Sequence, residues 1–179
     1  MRCLAPLLLV LALAAPAGAT AGPAGVAELF GPPENLRLVR EADAVDVCLL
    51  RHVAPAVRAD GSVDRSTERY EETAFRPVPA ATAAALRGLV LDYKTYDWPA
   101  GAGGRRPQFY LRLRFHRGDE LITVDFCFLC HVLLVARNGV ELGHANFGRN
   151  ADLLLRAFLQ VFPDDAPLRR AAGEAGLPP

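Results

Sequence analysis

The chain has 179 residues, with 20 basic and 20 acidic side chains in balance and 51% hydrophobic residues. That composition belongs to a globular protein, and the balanced charge excludes the strong positive field of a general nucleic-acid or membrane-surface binder.

Met1 and Arg2 make a short basic start, and Leu4 to Ala15 is an apolar run broken only by Pro6. Ala17-Gly18-Ala19 then supplies the small residues that a signal peptidase accepts. The pattern predicts a secretory signal over residues 1–19, cut after Ala19, because the apolar run is too short to span a bilayer. Cys3 precedes the apolar run and leaves with the signal, so it is no lipoprotein cysteine. No other long apolar segment follows, and the expectation is a soluble exported protein, periplasmic or secreted, of about 160 residues and one domain.

Residues 20–32 are rich in Ala, Gly and Pro and are expected to be a flexible segment before a single domain over residues 33–165. Pro33 opens a short predicted helix reaching Ala42, with Leu36 and Val39 on one face. Ala44 to Val53 reads as a strand, Ala54 to Thr67 as a polar loop, and Tyr70 to Val78 as a second strand. Ala80 to Leu91 reads as a helix with many small residues. Asp97 to Arg106 is a loop whose glycines lead into a strand, which rejects a phosphate-binding reading.

The most informative region runs from Phe109 to Phe147. Phe109, Leu111, Leu113 and Phe115 alternate with Tyr110, Arg112, Arg114 and His116, as in a strand with one apolar and one polar face. Gly118-Asp119 supplies a two-residue type II′ turn. The turn predicts Phe115 opposite Ile122, Leu113 opposite Val124, Leu111 opposite Phe126 and Phe109 opposite Phe128 on one face, and Arg114 opposite Thr123, Arg112 opposite Asp125 and Tyr110 opposite Cys127 on the other. A slip of one residue would undo the whole pattern. Asn138-Gly139 is a type I′ signal, which predicts Val135 opposite Leu142, Leu133 opposite His144 and His131 opposite Asn146. Asn150 or Asp152 starts a final helix, Leu153 to Val161, ended by Phe162-Pro163. Residues 166–179 are expected to be a flexible tail. The predicted architecture is α+β: an antiparallel sheet of five or six strands with two or three helices packed on it.

Between the two predicted hairpins stands Phe126-Cys127-Phe128-Leu129-Cys130-His131, which contains both C-x-x-C and C-x-x-C-H. Once Cys3 is gone, Cys48, Cys127 and Cys130 remain, and an odd number in an oxidising compartment predicts one bridge and one spare thiol, or a metal or haem. In a straight strand, residues three apart lie about 10 Å apart, beyond the ~7 Å reach of a disulfide. Cooperation between the two cysteines therefore requires a bend, and Phe128-Leu129 contains no turn residue. Four readings remain open. Cys48, Cys127 and Cys130 can be structural, packed as small hydrophobes or joined in one bridge. Cys48, Cys127, Cys130 and His131 can form a Cys₃His zinc set. The C-x-x-C-H motif can attach haem c, with His52, His116 or His144 as second axial ligand. A thiol redox pair lacks the helix that follows such motifs in thioredoxin-like proteins. The structural reading is preferred, with no cofactor expected.

Two polar groupings are further candidates. Asp125, beside Arg112, Thr123 and His116, can be a carboxylate oriented by Arg112 with His116 or Tyr110 as proton partner, a hydrolase-like site; a cross-strand ion pair is the simpler account. His131, His144 and Asn146 can share one face of the second hairpin.

Leu89-Val90-Leu91-Asp92 with Tyr96, the Cys127-Phe128-x-Cys130 core, Asn138-Gly139 and a terminal Phe162-Pro163-Asp164-Asp165 together resemble small exported bacterial proteins of unknown function. The resemblance covers about the last half of the chain. It implies a coherent compact domain in which the cysteine pair recurs, and no activity, cofactor or catalytic residue. The expected function is non-enzymatic binding or envelope association, with partners undefined by the sequence.

Overall fold

The structure is a computed structural model that describes residues 25–98, 107–174 and 176. The predicted signal over residues 1–19, and most of the glycine-rich loop before Phe109, lie outside the described residues.

Nine strands and five α-helices follow along the described chain, in runs rather than in alternation. The strands are β1 (Ala44–Val53), β2 (Ala56–Val57), β3 (Val63–Asp64), β4 (Arg69–Glu72), β5 (Arg76–Pro77), β6 (Leu111–Arg117), β7 (Glu120–Cys127), β8 (Val132–Arg137) and β9 (Val140–Asn146). The helices are α1 (Val26–Phe30), α2 (Pro33–Arg40), α3 (Ala80–Leu91), α4 (Ala151–Leu159) and α5 (Ala166–Glu174). Seven strands form one antiparallel sheet in the order β4-β1-β6-β7-β8-β9, with β5 also on β1, and β2 and β3 pair separately. The fold is α+β with an antiparallel sheet, as expected, but the described residues hold seven strands in the main sheet and five helices where five or six strands and two or three helices were expected.

Alternation places one face of the sheet in the core. Val45, Val47, Leu111, Leu113, Phe115, Ile122, Val124, Phe126, Leu133 and Val135 are buried there with residues from the helices. The β6–β7 register matches the predicted one at every pair from Leu111–Phe126 to Arg117–Glu120, but the expected pairs Tyr110–Cys127 and Phe109–Phe128 are not in the ladder, because β7 ends at Cys127 and the chain turns at Phe128. Gly118 has a φ of 56° and Asn138 and Gly139 have φ of 49° and 82°, as the II′ and I′ turns require.

Four expectations change. The segment over residues 20–32 and the tail were expected to be loose, but both contribute helices. Leu29 and Phe30 of α1 are fully buried, and burying such side chains contributes about 1.5–3 kcal/mol each. In the tail, α5 starts at Asp165, whose carboxylate accepts from the Leu168 amide at 2.9 Å, a capping bond. Leu168 and Ala172 seal its inner face.

The single strand expected over Tyr70–Val78 is split into β4 and β5. At the break, the Thr73 hydroxyl takes the Leu49 amide at 3.0 Å in place of a ladder carbonyl.

The β8–β9 register starts as predicted, with Arg137 opposite Val140, but shifts by one between Val135 and Ala136. Leu133 therefore faces Ala145, and Leu134 faces His144. A bulge of this kind inserts one unpaired residue into a strand. It sits where β9 meets α1: a Cβ on Gly143 would stand 3.1 Å from the Leu29 carbonyl oxygen. Only glycine lets the two backbones approach so closely.

Candidate functional site

The bend that the sequence left undecided exists. β7 ends at Cys127, Phe128 to His131 form a four-residue turn, and β8 returns with Cys127 opposite Val132. His131 supplies the turn conformation with a φ of 51°, in the left-handed region that a non-glycine residue seldom occupies. The Cα atoms of Cys127 and Cys130 come to 5.6 Å, and their sulfurs are bonded. The FCFLCH stretch is thus a third hairpin, closed by its own bridge.

Cys127 and Cys130 have no free thiols for haem attachment or for a thiolate zinc set. Among the described residues Cys48 is the free thiol, buried in β1 opposite Arg112. Burial, reinforced by Glu72, pushes that thiol up to about 12. The His131 ring packs edge-on against Phe147 at 5.9 Å. Among the described residues no group of three or more His, Cys, Asp or Glu is arranged to hold a metal ion. Of the other grouping, His144 lies 3.6 Å from Glu141, and Asn146 stands opposite Val132 rather than His131.

The Asp125 grouping comes together in part. Arg112 grips both carboxylate oxygens of Asp125 at 2.7 and 2.6 Å, and its third arm reaches Glu72 at 2.5 Å. Asp125 is only 4% exposed. Burial pushes its carboxyl above the ordinary value, against the opposing pull of Arg112. His116 bonds Asp46 at 3.1 Å instead, an oxygen pair it shares with the forked contact of Arg114. Four residues separate Arg112 from His116 along β6, about 13 Å at ~3.3 Å per residue. Tyr110 turns its hydroxyl to Asp165 at 2.7 Å. The open groove beside Asp125, of about 420 Å³, therefore holds a saturated carboxylate with neither proposed proton partner in reach.

A different concavity lies at the other end of the sheet, where β1 finishes, β6 begins and the bridged turn projects. α5 lies over it. The cavity measures about 320 Å³, and Leu50, Phe109, Tyr110, Phe128, Leu129 and Leu168 supply much of its wall. A second cavity of about 400 Å³, bordered by His131, Asp152 and Leu155, shares Phe128, Leu129, Ala171 and Glu174 with it. The bridged turn is thus a partition between two concavities.

Its inner half is anchored by aromatic packing. Phe128 stacks on Phe126 at 5.9 Å and meets Phe147 and Phe158 edge-on at 5.4 and 6.0 Å. Aromatic pairs of this kind contribute about 0.5–1.5 kcal/mol each beyond area burial.

The residues that shape this end, Leu129, Leu168, Arg51, Arg170 and Glu174 among them, were not singled out from the sequence. The one available signal was Asp165 before Ala166-Pro167, a helix-start pattern that read instead as the end of the preceding helix.

No family model, curated protein or solved structure matches the chain.

Proposed function

We propose that the chain is an exported, soluble binding domain whose ligand site is the apolar cavity under α5, with the Cys127–Cys130 bridge serving structure. The observation that carries this reading is the cavity itself. It is largely apolar, about 320 Å³ in volume, and within the range of natural small-ligand pockets. Its walls come from β1, β6, the bridged turn and α5, so it is set by the tertiary fold and closed covalently on one side. Export is supported by the N-terminal pattern and by the bridge, since disulfides persist in oxidising compartments. Both agree with the resemblance to small exported bacterial proteins, and association with the cell envelope is one setting for such a domain.

The test is binding of a neutral apolar dye, Nile red, followed by fluorescence. Ala171, which lines both concavities, is replaced by phenylalanine to fill the space. The dye is expected to bind the oxidised protein at a single saturable site and to bind Ala171→Phe at least tenfold more weakly, with an unchanged circular dichroism spectrum. Equal binding to both proteins would remove the cavity as the site.

A further inference from the structure

The cavity wall is apolar, but the charged residues at it are unevenly paired. Arg51 on β1 and Arg170 on α5 both line it. Among the described residues neither makes an ion pair. His52, also in the wall, is bonded to Glu68 at 2.9 Å. Among the described residues Glu174 is the one carboxylate of the lining, a helical turn beyond Arg170. The lining thus carries two guanidinium groups from different elements against one carboxylate, beside a surface of Leu, Phe and Tyr. Guanidinium groups are weakly hydrated and match carboxylate geometry.

We propose, building on the cavity as ligand site, that this site takes an amphiphilic monocarboxylate: an acyl or arylalkyl chain inside, with its acid group held by Arg51 and Arg170. At roughly 30 Å³ per water-sized unit, a space of about 320 Å³ accommodates a chain of roughly ten carbons. Glu174 restricts the ligand to a single negative charge, because a second would meet its carboxylate.

The experiment displaces Nile red from the oxidised protein with decanoate and with decanol, which differ in the acid group alone. Decanoate is expected to compete at least tenfold more strongly than decanol. Arg51→Gln and Arg170→Gln should each weaken decanoate several-fold and leave decanol unchanged, and Glu174→Gln should strengthen decanoate. All three side chains are at the surface, and a thermal melt of each variant confirms folding. Equal competition by decanoate and decanol on the unmodified protein would overturn the acid-binding inference and leave the apolar site intact. Failure of Nile red and of both competitors to bind would overturn the two readings together.

Discussion

Phe128 and Leu129 are consecutive, yet Phe128 is 8% exposed and Leu129 is 83% exposed. The Cys127–Cys130 bridge forces this divergence. It folds four residues into one turn, sends Phe128 into the aromatic cluster and leaves Leu129 standing at the lip of the cavity. Replacing both cysteines by serine is expected to lower stability by roughly 2 kcal/mol, the chain-entropy value for so short a closed loop. It should also weaken Nile red binding, because Leu129 loses its fixed position. Urea unfolding and dye titration check both. An unchanged midpoint would mean that His131 and the aromatic packing hold the turn unaided.

Thiol accounting distinguishes the three cysteines. Cys48 is fully buried and its thiol is pushed up to about 12, so at pH 8 almost none is thiolate, the reactive form. Native protein cut after Ala19 is expected to take no iodoacetamide. Unfolded without reductant it should take one equivalent, and after reduction three. Intact mass reads each step. Three equivalents without reduction would show that no bridge forms, and one additional equivalent after reduction would show that Cys3 and the leader are retained.

The Arg112–Asp125 pair is expected to act in stability. Asp125→Ala should cost about 3 kcal/mol, the low end for breaking a buried ion pair, because Arg112 retains Glu72 and reaches water. The pH dependence has a definite sign. Burial raises the Asp125 carboxyl in the folded state above its unfolded value, so the folded state holds the proton more tightly. Its contribution is fully present below the unfolded value, ~3.9, and is lost as pH rises through the raised folded value. Relative to Asp125→Asn, the unmodified protein should therefore gain stability as pH falls through that window. A gain on raising pH would show that Arg112 outweighs burial.

Gly143 tests the seam between α1 and the sheet. A Cβ there would meet the Leu29 carbonyl oxygen at 3.1 Å and its Cδ1 at 3.3 Å, and a backbone oxygen cannot rotate aside. Gly143→Val should cost about 1–3 kcal/mol, as overpacking does, and should raise hydrogen exchange in α1 before the rest of the domain. A neutral effect would mean that α1 shifts freely on β9.

Local chemistry made much of the sheet legible. Alternation from Phe109 to Phe115 with Gly118-Asp119 gave the β6–β7 register pair by pair, because a period-two pattern between a defined turn and a buried face tolerates no slip. The same logic gave β1 and α3 with the observed limits, Ala44–Val53 and Ala80–Leu91. It also placed Arg112 against Asp125, since partners in a register are near neighbours by construction.

What escaped the sequence depends on residues far apart along the chain. The β9 bulge sits where Gly143 meets Leu29, more than a hundred positions away. The turn at Phe128–His131 carries no glycine or proline and is closed by a bond between two side chains. The helices α1 and α5 have compositions that read as loose, and they are ordered by what they bury. His116 was placed with Asp125 by sharing a face, whereas Asp46, from a strand 70 residues earlier, lay nearer. The sequence by itself determined the β6–β7 register and the turns at Gly118-Asp119 and Asn138-Gly139, because these follow from neighbours along the chain. The tertiary structure alone decided the bent cysteine hairpin, the packing of α1 and α5 and the cavity under α5, because each is made by surfaces that meet only after the chain has folded.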